Sequence, residues 1–434
     1  MRQTISSMIA WSALTVLLVG CNENGNSPSA NGNGDGNGDA THDVTIIELG
    51  DDAQDNAQLA LIEADPGDVV EFAEGTFNFK STLSCTIDNI TIRGQGPDKT
   101  IISFTEQGAG AGGEGISCTA DHFTVENLAV EDTKTDGIKT EGSTHVVFRN
   151  LRVEWTGGPS PDNGAYGLYP VLSKDVLIEN CLVIGASDAG IYVGQSENTI
   201  VRNNEVHGNV AGIEIENTVG ADVYGNTSTN NTGGLLVFSL PELPKKTGSN
   251  CRVFNNKVFE NNHENFAKEG NIVATIPPGT GILIMANKNV EVFDNEFSDN
   301  NTANMTVISY LAVQREYKDP EYSPYAEGIY IHQNKFSGGG TEPSGEIGLL
   351  YKTILQGETV PDIVYDGVVD ESKLVDGKLP PELRLYIRDN GDADFANIDI
   401  LTFAADKKPN IQRDIKAHDG ELPELPPVVI EGIE

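Results

Sequence analysis

The sequence predicts an all-β chain: a right-handed parallel β-helix with three short strands per turn of about 22 residues and an N-terminal capping helix. Three observations predict it. The first is a recurring Gly-apolar tetrapeptide: Gly115-Ile116-Ser117-Cys118, Gly137-Ile138-Lys139-Thr140, Gly167-Leu168-Tyr169-Pro170, Gly190-Ile191-Tyr192-Val193, Gly212-Ile213-Glu214-Ile215, Gly234-Leu235-Leu236-Val237 and Gly281-Ile282-Leu283-Ile284. The second is a following Val-x-Val strand in each turn, as in Phe123–Val125, Val176–Ile178, Thr199–Val201 and Val290–Val292. The third is a pair of asparagine columns: Asn127, Asn150, Asn180 and Asn203, then Asn204, Asn226, Asn256, Asn295 and Asn334. One turn cannot bury its apolar side alone. Stacked turns bury a continuous column and bond as parallel strands about 4.8 Å apart. Stacked asparagine amides bond along such a ladder, so these residues read as structural.

Taken from the N-terminus, residues 1–20 have one charge, Arg2, and an apolar run from Met8 to Val19. That run is too short for a stable span and has the length of a signal-peptide core. It ends in Leu18-Val19-Gly20-Cys21, which resembles the bacterial lipobox and implies acylation of Cys21. Acyl chains anchor through about 0.8 kcal/mol per buried methylene. The lipid is then the only membrane attachment. Asn22 is not the aspartate that retains lipoproteins in the inner membrane of well-studied Gram-negative bacteria, which favours the outer membrane. Residues 21–43 are rich in Gly, Asn and Asp and nearly free of apolar groups, the composition of a flexible tether. Asp55 to Ala64 forms an amphipathic helix stopped by Pro66-Gly67 and suited to capping the column. Asp68–Phe72 opens the first turn. The helix body is expected over 44–340. Beyond it, 341–434 is read as irregular last turns and a cap, with strands near 363–365 and 384–387 and an extended, proline-rich tail over 421–434.

The net charge of −37 excludes nucleic acid as a partner and disfavours polyanions. The seven His show no ligand spacing, and no metal site or cofactor is assigned. Calcium, which takes loop oxygens, is the ion open to so acidic a chain, though no loop has the Asp spacing that names a site.

In the first strand of each turn the residue after the inward apolar one points out. This column reads Ser117, Lys139, Tyr169, Tyr192, Glu214, Leu236 and Leu283. Lys139, Tyr169, Tyr192 and Glu214 would line about 15 Å of one face, with tyrosine rings suited to sugar. Four insertions border that face: Gly157–Ala165, Pro241–Ser249, His263–Thr280 and Tyr310–Ala326. They are expected to wall a groove that binds polysaccharide or another exported protein. The alternative is a polysaccharide lyase, C5-epimerase or hydrolase with an altered site.

Cys85 and Cys118 fall at the same place in successive turns, with α-carbons about 5 Å apart, inside the usual disulfide window. An oxidising compartment favours a bridge between them; two stacked free thiols are the alternative.

The whole pattern over 44–340 resembles the pectin-lyase-like superfamily of right-handed β-helix repeats. Within it the chain is most similar to a family of exported β-helix repeat lipoproteins, usually encoded beside a second exported protein. Tyr166-Gly167-Leu168-Tyr169-Pro170-Val171 resembles the mannuronan C5-epimerase signature Tyr-Gly-Phe-Asp-Pro-His. Tyr166 carries over as a candidate catalytic phenol, while Tyr169 and Val171 replace the Asp and His that move the C5 proton. Thr135-Asp136-Gly137-Ile138 resembles the Asn-Thr-Asp-Gly piece of polygalacturonases, without that family's Gly-His-Gly and Arg-Ile-Lys pieces. Inverting hydrolysis needs two carboxyls, and the spacing places Asp188 at the same position as Asp136 two rungs later; Lys139 of the outward column is a further candidate catalytic residue.

Overall fold

The computed structural model describes residues 42–108 and 112–433. The signal peptide, Cys21 and all but the last two residues of the tether lie outside the described residues.

Parallel strands stack in three sheets of 12, 11 and 10 strands. Each full turn contributes one strand to each sheet, as in Ala189–Gly194, Glu197–Arg202 and Glu205–His207. These are called first, second and third strands below. The expected register holds: Ile138 aligns with Leu168, Leu168 with Ile191, and Ile191 with Ile213. Those side chains are buried in one continuous column that also takes inward residues of the other two sheets.

The asparagines behave as the repeat requires. In the ladder Asn204–Asn226–Asn256–Asn295–Asn334, each Nδ2 donates to the next Oδ1 at 2.9–3.0 Å, and the ladder runs on to Asn390. The other column, Asn127, Asn150, Asn180 and Asn203, holds the left-handed turn conformation that asparagine tolerates. A further buried ladder, Asn209–Asn231–Asn261–Asn300, turns the chain after the third strands.

The N-terminal helix spans Ala53–Glu63 and buries Ala53, Ala57 and Leu61 against the end of the column. Its glutamines do the capping. Gln58 both donates to and accepts from the Ser84 backbone at 2.9 Å, and Gln54 accepts from the Lys80 amide at 2.7 Å. Side-chain amides thus occupy an edge strand that would otherwise invite pairing. The first turn begins earlier than Asp68, however. Val44–Ile47 forms a strand paired with Val69–Phe72, so the helix is inserted between two rungs.

Ile363–Tyr365 and Leu385–Arg388 join the first-strand and second-strand sheets as expected. Gly345–Ile354 is an unanticipated helix that buries Tyr351 and Ile354 on the outer side of the first-strand sheet. The tail crosses the outer side of the second-strand sheet. Leu425 and Val428 amides donate to Glu291 and Asp222, and Ile430 packs on Val147 and Leu177.

Cys85 and Cys118 stand in register, but as free thiols, correcting the expected bridge. In-register parallel strands send both side chains inward side by side. Each sulfur turns to a carbonyl of its own rung, at Ile87 O and Ala120 O.

Candidate functional site

The outward column of the first-strand sheet is formed as read, from Ser84 through Ser117, Lys139 and Tyr169, then Tyr192, Glu214, Leu236 and Leu283 to Thr306. Its surroundings correct the groove. Ser84 is exposed, and Ser117, Lys139 and Tyr169 are half-buried. From the next rung on, the column is closed: Tyr192 is 5 % exposed and Glu214 1 %. Two of the insertions, His263–Thr280 and Tyr310–Ala326, do not wall a trough. They fold over the row and pack on it, with Val273, Ile276, Tyr310 and Tyr322 meeting Tyr192, Leu236, Phe238, Leu283 and Met285. The physical reason lies in the column itself. Outward Leu and Met cannot face water along several rungs, so the loops that follow them become a roof.

Tyrosines occupy the mouth of this roof. Tyr166, Tyr169 and Tyr192 form a triangle with centroid separations of 4.5, 4.5 and 5.0 Å. The Tyr192 ring lies over Gly194, where any side chain would collide with it. Tyr192 is therefore part of the roof's packing and not a free sugar platform. Tyr166 and Tyr169, both half-buried, keep an open side. Lys139 Nζ sits 5.5 Å from the Tyr169 centroid and pairs with Glu141 at 3.0 Å.

Behind the tyrosines stand four carboxyls. Asp136 lies at the open edge, just before its strand. Burial, reinforced by Glu114, pushes it up to about 6, against the pull of Lys139. Asp188 is deeper and is held by the roof, accepting from Asn271 Nδ2 at 3.2 Å. Burial, then the charges of Glu216 and Asp136, push it up to about 7. Glu216 is pushed up to about 7 by burial, with a hydrogen bond from Tyr192 opposing. Glu214, enclosed on every side, is raised well above the ordinary range by burial and by Asp188 and Glu216. Its Oε1 has no hydrogen-bond partner. Burial likewise raises Tyr166, and raises Tyr169 to about 12, so both phenols are neutral and able to donate.

Asp188 is one residue out of the register expected for it. Asp136 aligns with Tyr166 and then Ala189, because the intervening turn holds one residue more than the usual 22. Asp188 therefore leads its strand by one position, on the side where Asn271 reaches it. The α-carbons of Asp136 and Asp188 are separated by about two rungs, roughly 10 Å, with Tyr166 on the rung between. Glu216 was missed in the sequence. The signal was its place two residues after Glu214, on the same outward side of a strand. Among the described residues, no group of three or more His, Cys, Asp or Glu is arranged to hold a metal ion.

A row of perturbed carboxyls beside tyrosines on one sheet of a parallel β-helix defines a class of protein: a solenoid that carries a candidate acid–base site on its first-strand face. The model of the right handed beta helix region matches residues 73–239 and 161–336, and the chain belongs to that family. No curated protein matches it. Among solved structures it is similar to the A-module of a mannuronan C-5 epimerase from Azotobacter vinelandii, at 13 % identity over 72 % of this chain and 85 % of that one, TM-score 0.48. It is also similar to an alginate lyase from Paenibacillus sp. (17 %, covering 69 % and 99 %, TM-score 0.36) and an exopolygalacturonase from Thermotoga maritima (13 %, covering 64 % and 78 %, TM-score 0.43).

Proposed function

We propose that this protein is a membrane-tethered polysaccharide hydrolase whose site is the mouth of the roof, with Asp188 as general acid, Asp136 as general base, and Tyr166 and Tyr169 against the sugar. The observation that carries the reading is the carboxyl pair. Two acids raised to about 7 and about 6 flank a half-buried tyrosine pair, so both protonation states are populated near neutral pH. Asp188, the more buried, gives its proton to the glycosidic oxygen as the C1–O bond breaks. Asp136, nearer solvent, takes a proton from the water whose oxygen bonds to C1. Separation by two rungs leaves room for that water, as inverting hydrolysis requires. Neutral phenols at Tyr166 and Tyr169 donate to ring hydroxyls. Epimerase and lyase chemistry is less well supported, because Tyr169 and Val171 stand where a proton-moving Asp and His would be needed.

A second reading is binding without turnover. The burial of Asp188 under Asn271 favours it, since the acid is then closed to substrate. Asp136→Asn separates the two. Hydrolysis predicts that reducing-end release falls by about 10²-fold or more while glycan retention is kept. Retention by the wild type with no turnover on any glycan leaves binding as the function.

The tether and compartment belong to the same proposal. Lipid on Cys21 anchors the chain in the outer membrane, and the tether over 21–43 holds the body off it. Cys21→Ser is expected to give an unprocessed or soluble form; normal processing and membrane retention of that variant contradict the anchor.

A further inference from the structure

The proposed site also specifies its substrate. We infer that it takes an uncharged polysaccharide and takes it by the chain end. This rests on the reading of the roof mouth as a hydrolytic site.

Glu216 and Asp136 act on Asp188, Asp188 and Glu216 act on the enclosed Glu214, and Glu114 acts on Asp136. Among the described residues, Lys139 is the cation that acts on this group, and it is already paired with Glu141. A uronate at every sugar would set a carboxylate beside these carboxyls, where, among the described residues, the cation that acts on them is already committed to Glu141. Such an uncompensated charge is among the costliest things to bury. A hydroxylated, uncharged ring suits the same pocket, because carboxyls accept from its hydroxyls and the neutral phenols donate to them. The partnerless Oε1 of Glu214, 1 % exposed and set among these carboxyls, adds an unused polar position deep in the cluster.

The chain-end argument comes from the shape of the row. A glycan lying along the strand stack meets Ser84, Ser117, Lys139 and Tyr169 on open rungs. At Tyr192 it meets a closed roof packed by Val273, Ile276 and Tyr310. Asp188, Glu214 and Glu216 are buried at and beyond that closure, and Asp136 leads the Lys139 strand, one rung before the last open one. A chain can enter only until its terminal sugar reaches the tyrosines, and the bond then presented to Asp136 and Asp188 is close to the end.

The test uses the mature wild-type protein with linear neutral chains (glucans, mannan and xylan) and two polyuronates, polygalacturonate and alginate. Oligosaccharides labelled at the reducing end are run alongside, and products are sized from the first minutes. The expected result is cleavage of a neutral chain at least about tenfold faster than of either polyuronate, the factor that ~1.4 kcal/mol of charge repulsion produces. Mono- or disaccharides should appear from the outset, with no mid-length fragments. Faster cleavage of a polyuronate overturns the charge argument, and early mid-length fragments overturn the chain-end argument. Either result leaves the hydrolytic reading standing. No cleavage of any chain overturns hydrolysis itself, and this inference with it.

Discussion

Two outer faces of the same solenoid handle charge in opposite ways. On the second-strand sheet, Glu71, Arg93, Glu126, Arg149, Glu179 and Arg202 occupy one column in register, alternating in sign from rung to rung. Glu179 is clamped between Arg149 at 2.5 Å and Arg202 at 2.6 Å. Arg202 then donates to the Tyr224 hydroxyl at 3.2 Å, and the column continues as Tyr224, Phe254, Phe293 and His332. Those rings stack at 4.7, 4.8 and 5.2 Å, nearly parallel, which matches the rung spacing. Because each ring covers its neighbour's face, only edges meet solvent, and the stack is no sugar platform.

On the first-strand sheet the same rung geometry was available, yet four carboxyls gather with one lysine at their margin. The solenoid alternates paired charges from rung to rung on one side and gathers carboxyls on the other. Acidic crowding of this kind lowers stability at neutral pH and raises the affinity for protons.

The contrast can be broken from either side. The larger effect belongs to the paired face. Glu179→Leu leaves Arg149 and Arg202 without their shared anion and is expected to cost about 3 kcal/mol in denaturant unfolding. A loss below about 0.5 kcal/mol would place the column among surface pairs of little worth. The smaller effect, of opposite sign, belongs to the crowded face. Asp188 and Glu216 are held above the ordinary carboxyl range by burial, so the folded state binds their protons more tightly than the unfolded chain. Their contribution is full below the ordinary carboxyl pKa of about 4 and is lost as pH rises toward about 7. Asp188→Asn should therefore stabilise the protein at pH 8 by about 1–2 kcal/mol and flatten the fall in Tm between pH 4 and 8. An unchanged pH profile would mean that Asp188 titrates normally.

Most of the architecture was legible because the solenoid repeats local rules. Gly137, Gly167 and Gly190 mark one place in successive turns, and the inward residue after each found its expected neighbour. Asn226, Asn256 and Asn295 likewise form the ladder that their spacing implied. The site was legible only in part. The column Lys139, Tyr169, Tyr192 and Glu214 was found, but its exposure depends on where the insertions land, and no short-range pattern encodes that. Leu236 and Leu283 were the clue, since apolar residues in an outward column imply a cover. Asp188 was misplaced by one residue because the turn from Gly167 to Gly190 is one residue longer than 22; Asp136 lies one residue before its glycine and Asp188 two before its own. The two cysteines show a different limit. Spacing gives the register, whereas side-chain direction decides between bridge and free thiols.

The fold raises the proton affinity of this acidic row, leaving Asp188 and Glu216 partly protonated at neutral pH and Asp136 mostly ionised. A pH titration of side-chain carboxyls, by infrared or carbon-detected NMR on the mature wild type and on Asp188→Asn and Glu216→Gln, tests it most directly. The account predicts carboxyls that titrate near 6 to 7, two of them removed in turn by the two substitutions. Carboxyls that have all ionised in the ordinary range, below about pH 5, would contradict it.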